Sequence, residues 1–144
     1  MTVFCGGVGP TTFWSFHTGD TSNEEWDTYL ATFESAVRAG CTHLLTVTYN
    51  STPPNAVQRK ILAEQVNRYR LHKHAFVARS AVVRAVLTML EWTTTKHHVE
   101  RMFARPIEGI EWLMSDGAVS AAEVIESIRT GVPDGLLHPD LRPG

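Results

Sequence analysis

The chain of 144 residues is 43% hydrophobic and 19% charged, with a net charge of −2. That size and balance fit one globular domain able to fold without staples, and they disfavour both a disordered chain and a dedicated nucleic-acid binder, which is usually strongly basic. Cys5 and Cys41 are too few for a disulfide framework or a metal knuckle, no apolar run approaches the ~20 residues of a membrane span, and Met1 to Cys5 holds no basic or long apolar leader, so a cytoplasmic protein is expected.

In chain order, Val3 to Cys5 and Thr12 to His17 are β-prone runs separated by Gly6-Gly7-Val8-Gly9-Pro10, which predicts an antiparallel hairpin. Ser22-Asn23-Glu24-Glu25 is a capping box: the serine hydroxyl takes the amide of Glu25 and that carboxylate reaches back. The helix it opens carries Trp26, Tyr29, Leu30, Phe33 and Val37 on one stripe and stops at Gly40. His43 to Tyr49 is rich in β-branched residues and predicts a strand, followed after Pro53-Pro54 by a helix over about Pro54 to Leu71 that buries Leu62, Val66 and Tyr69.

The same unit then repeats. His74 to Arg79 predicts a strand, and Ser80 caps a helix carrying Val83, Val86, Leu87 and Leu90; Val99 to Ala104 predicts a strand and Pro106 to Met114 a helix. Ser120-Ala121-Ala122-Glu123 is a second capping box, opening a helix with Val124, Ile125 and Ile128 that ends at Gly131. Strands alternating with helices of this length predict parallel crossover units around a central sheet. The expected organisation is one α/β domain over residues 1–131, with a flexible tail rich in proline and glycine over 132–144.

This order of elements resembles the STAS family, the fold of bacterial anti-sigma factor antagonists, in its divergent members. The likeness rests on the Trp26 to Phe33 stripe, the strand Leu44 to Tyr49 running into Pro53-Pro54, Gln58-Arg59-Lys60, and Arg84 to Trp92 with Trp112-Leu113 beyond, and it covers residues 13–115. It implies a mixed, mostly parallel sheet with an N-terminal hairpin and four to five helices. It also implies a non-enzymatic regulatory module that docks on a protein partner such as a kinase-like regulator, switched by phosphorylation of a serine or threonine where a strand meets the next helix. The matching stretch is Asn50-Ser51-Thr52-Pro53, which keeps the hydroxyls but has Asn50 in place of the family's acid and Pro53 in place of its glycine. The docking surface implied is this turn together with Arg59 and Lys60 on the helix that follows.

Other residues admit competing readings. Ser51 and Thr52 serve equally as helix caps. His72, His74, His97 and His98 fall in two clusters before strands of one sheet; they bind a metal only if they converge with a further ligand, and solvated loop histidines are the expectation. Lys60, Arg68, Arg70 and Lys73 make one helix basic, while Glu24, Glu25, Asp27 and Glu34 make the first acidic, a polarity that orients partners. Cys41 and His43 share one strand face at i and i+2, yet no orienting acid or oxyanion donor accompanies them, and Gly6-Gly7-Val8-Gly9 lacks the Lys-Ser/Thr of a phosphate loop. Hence no catalytic residue, cofactor or metal is expected, and neither nucleic acid nor membrane as partner. The alternative to docking is a small-molecule binder or small hydrolase with a pocket at the carboxyl ends of the strands. Finally, Val82, Ala85, Met89 and Trp92 form a second apolar stripe on the helix after Ser80, to be covered either by the last helix or by a second copy in a homodimer.

Overall fold

The computed structural model describes residues 1–69, 71–79, 99–117 and 119–143. Strands β1 (Val3–Val8) and β2 (Thr12–Gly19) pair antiparallel, and β2, β3 (His43–Ser51), β4 (Lys73–Val77) and β5 (Val99–Phe103) continue the sheet in parallel, in sequential order. The described helices are α1 (Asn23–Arg38), α2 (Ala56–Arg68), α3 (Pro106–Leu113) and α4 (Ala121–Gly131). The architecture is therefore α/β with a mixed, mostly parallel sheet and an N-terminal hairpin, as the sequence predicts. None of the described helices is long and apolar enough to cross a membrane.

Period-two alternation sorts each strand between two cores. Trp14 and Phe16, Leu45 and Val47, and Ala75 and Val77 meet Ile110 and Leu113 of α3 and Val124 and Ile128 of α4. The opposite parity, Phe13 and Leu44, meets Trp26, Tyr29, Leu30, Phe33 and Val37 of α1 with Val66 of α2. With strands in sequential order, crossovers of one hand set α1 and α2 on one face, and the helices that follow β5 close the other.

Three local expectations change. Gly6 and Gly7 lie within β1, and the turn is Gly9-Pro10-Thr11. Gly6 is there because the indole of Trp14 lies against it; a Cβ would come within 2.8 Å of that ring, and one on Gly131 of α4 would come equally close from α4. Trp14 Nε1 donates to Ser127 Oγ at 2.8 Å, so one side chain joins β1, β2 and α4. At α1, Ser22 caps Glu25 N as expected, but the Glu25 carboxylate turns to the amides of Thr2 and Val3, at 2.5 and 2.7 Å. Helix α2 starts later than predicted: its cap is Asn55, in a reciprocal box with Gln58, so Ser51 and Thr52 cap nothing, and Leu62 and Tyr69 are only half-buried.

The tail is not loose. Val132, Leu137 and Leu141 are buried in the core under α3 and α4, through two short 3-10 turns, Asp134–Leu136 and Pro139–Leu141. Arg129 Nε donates to Leu141 O, and Arg105 pairs with Asp140 at 3.0 Å. Pro and Gly content suggested mobility, but the apolar residues spaced along the segment supply the burial that orders it. The domain thus extends through the tail rather than ending at residue 131. The stripe of Val82, Ala85, Met89 and Trp92 lies outside the described residues, as do Arg70, His97 and His98. Leu141→Ala should lower unfolding free energy by about 2–5 kcal/mol in urea denaturation, the range for a buried leucine; a change near zero would mean that the tail contributes no packing.

Candidate functional site

On the face that α1 and α2 cover, the sheet is not apolar throughout. Ser15 and His17 of β2, Thr46 and Thr48 of β3, His74 of β4 and Glu100 of β5 share it with Phe13, Leu44 and Phe76. A strand buried on both faces normally reads as a continuous apolar run. The hydroxyls and imidazoles recurring at every second position in Phe13-Trp14-Ser15-Phe16-His17 and in Leu45-Thr46-Val47-Thr48 are thus a signal that sequence reading passed over.

Of these, His17, Thr46, Thr48, His74 and Glu100 floor an open cleft of about 770 Å3, a volume that includes the solvent in its mouth. Trp26, Tyr29 and Phe33 of α1 form one wall, and Leu62 and Val66 of α2 the other. Ser51, Thr52, Pro53 and Pro54, in the connection from β3 to α2, border it with Arg59, whose Nη1 donates to Pro54 O at 2.9 Å. Three of the five predicted contact residues, Ser51, Thr52 and Arg59, therefore converge on one place. Asn50 has a left-handed backbone (φ 53°) and does not line the cleft, and Lys60 is exposed on the outer side of α2.

Two hydrogen-bonded groups occupy the floor. In the first, His17 Nε2 and Ser15 Oγ are 3.0 Å apart, and Ser15 Oγ lies 3.4 Å from the Tyr29 hydroxyl. The His17 ring stacks on Trp26 (centroids 5.5 Å apart) and meets the edge of Tyr29 (4.7 Å). Its Nδ1 is buried without a hydrogen-bond partner among the described residues. Burial pushes the His17 imidazole down to about 4, against a weaker upward pull from Glu25, so the ring is neutral at pH 7. Burial likewise raises the Tyr29 phenol, which stays protonated.

In the second group, Thr46 Oγ1 is 2.9 Å from His74 Nε2, and His74 Nδ1 is 3.5 Å from Glu100 Oε1, with both His74 and Glu100 side chains buried. A hydroxyl, an imidazole and a carboxylate in that order are the parts of an activated nucleophile. Acyl transfer also needs amides free to hold an oxyanion, and Thr46 sits mid-strand, where β3 pairs on both sides with β2 and β4.

The other sequence candidates disperse. His74 is a buried strand residue rather than a solvated loop histidine, because β4 begins at Lys73. Cys41 and His43 do not form a pair: the His43 ring nitrogens face Thr42 Oγ1 at 3.0 Å and Asp116 Oδ2 at 2.6 Å. Burial raises the Cys41 thiol and pushes Cys5 up to about 11, which leaves both as unreactive thiols. Part of the expected surface polarity is consumed internally, since Glu34 of α1 pairs with Arg38 at 2.8 Å and with Arg68 of α2 at 3.7 Å.

The neutral His17 has a measurable consequence. Its imidazole is protonated at about 4 in the folded chain but near 6.5 when unfolded, so between these values the unfolded state binds the extra proton. Stability is fully present above pH 6.5 and falls as the pH drops toward 4, by about 3 kcal/mol. Urea unfolding at pH 7.5 and 4.5 should show this loss, and His17→Gln should remove most of it; a His17 resonance titrating above pH 6 by NMR would contradict the assignment. Comparisons with family models and with curated proteins return no match to the chain, so its function has to be argued from this geometry.

Proposed function

We propose that the chain is a small-molecule-binding domain that holds its ligand in the cleft between α1, α2 and the sheet, without turnover. The observation that carries this reading is a polar floor inside apolar walls, with His17, Thr46, Thr48 and His74 lining the cleft between them. The walls of Trp26, Phe33 and Leu62 fit a flat apolar body. The hydroxyl of Thr48 donates to Val77 O at 2.9 Å and leaves its oxygen able to accept, so His17 and Thr48 together fit a polar head with both donor and acceptor capacity.

The docking module implied by the STAS resemblance, with its protein partner and its switch at Ser51 or Thr52, rests on the order of elements. A concave cleft favours the ligand over it. The two free thiols, Cys5 and Cys41, fit the cytoplasmic setting in which either activity would operate.

The dye 1-anilinonaphthalene-8-sulfonate, an aromatic body with a polar head, tests the cleft directly. The folded chain should bind it saturably at one site, with quenching of tryptophan emission from Trp26. Leu62→Trp, which places an indole in the cleft from a half-buried position on α2, should weaken binding at least about tenfold while leaving the unfolding midpoint nearly unchanged. Equal binding by this variant, or none by the parent chain, would rule the cleft out.

A further inference from the structure

A second cluster of side chains stands apart from the cleft, at the opposite ends of the strands. His43 has the parity of Leu45 and Val47, so it belongs to the sheet face covered by α3 and α4. His72 precedes β4, and its amide, like that of Lys73, donates to Thr42 O, which fixes it beside the start of β3. The chain turn after α3 brings Asp116 back to the same point. Asp116 Oδ2 lies 2.6 Å from His43 Nε2 and 3.7 Å from His72 Nε2, and the two imidazole centroids are 5.3 Å apart. One donor atom from each of the three residues falls within 4.8 Å of the others.

We propose that His43, His72 and Asp116 form a binding site for one divalent transition-metal ion of the zinc type. Two imidazoles and one carboxylate are a donor set that such ions take, with the fourth position left to solvent. Tetrahedral coordination at about 2.0–2.1 Å sets donor atoms about 3.3 Å apart, so the cluster needs only small adjustments, the largest about 1.5 Å. His72 and Asp116 can make them, being 64% and 32% exposed, while His43 is held at 9%. His43 is already oriented as a metal-binding histidine is, since its second nitrogen, Nδ1, meets Thr42 Oγ1 at 3.0 Å. The Lys73 ammonium is engaged by Trp112 O and Ser115 Oγ. The metal would join three segments of the domain. The site and the cleft stand or fall separately.

Titration of EDTA-treated, buffer-exchanged chain with zinc chloride in a calorimeter should show one ion per chain. Cobalt(II) chloride should give the visible absorption of a four-coordinate site, bleached by zinc. His72→Ala and Asp116→Asn should each abolish that absorption and weaken zinc at least tenfold, with the far-UV spectrum unchanged. Thr42→Val, which removes only the outer contact, should weaken zinc by about tenfold. Absence of saturable binding in the parent chain would overturn the proposal. Undiminished affinity in both His72→Ala and Asp116→Asn would also overturn it, by placing the ion on other histidines.

Discussion

Strand β2 is buried on both faces over seven consecutive residues, from Thr12 to Thr18, and the rest of the domain is arranged around that fact. A doubly buried strand has no solvent side on which to place a polar group, so a serine, threonine or histidine in it costs free energy unless it finds a partner. Toward α3 and α4 the strand offers Trp14 and Phe16, and the packing there is closed down to the glycines that make room for the indole. Toward α1 and α2 it offers Ser15 and His17, which meet Tyr29 and Trp26 of α1.

Polar groups in such a place are costly unless satisfied, and most of these are. Ser15 joins His17 to Tyr29, Thr46 joins β3 to His74, and Thr48 ties β3 to the carbonyl of Val77. They form short chains within and across the sheet, so they help to fix strand register. The opposite face is mainly apolar, with Thr12 and His43 among the polar residues buried on it. The polarity of the two faces thus follows strand parity.

Much of the fold was legible because local and tertiary signals agree. Ser22 and Ser120 cap where their spacing to Glu25 and Glu123 predicts, and the α1 stripe is buried as drawn. The exceptions occur where a longer-range partner overrides a local rule. The Glu25 carboxylate leaves its capping box for the amides of Thr2 and Val3, and Asn55 takes the cap that Ser51 and Thr52 were positioned to supply. The site was legible only at its rim. Ser51, Thr52 and Arg59 cluster near one turn in the sequence, whereas the floor draws residues from four strands that only the completed sheet brings together. Asp116 and His43, 73 positions apart, were beyond the reach of any local spacing.

The sequential strand order carries a kinetic meaning as well. Each strand pairs only with those before and after it in the chain, so loop closures stay short and the sheet can grow by one crossover unit at a time. The face that α1 and α2 cover would be largely assembled once β4 has docked. The opposite face stays exposed until α3, α4 and the segment with Leu137 and Leu141 fold over Trp14 and Phe16. During synthesis the apolar surface of Trp14 and Phe16 is therefore the last to be shielded, and the interval before that closure is when the nascent chain is prone to self-association.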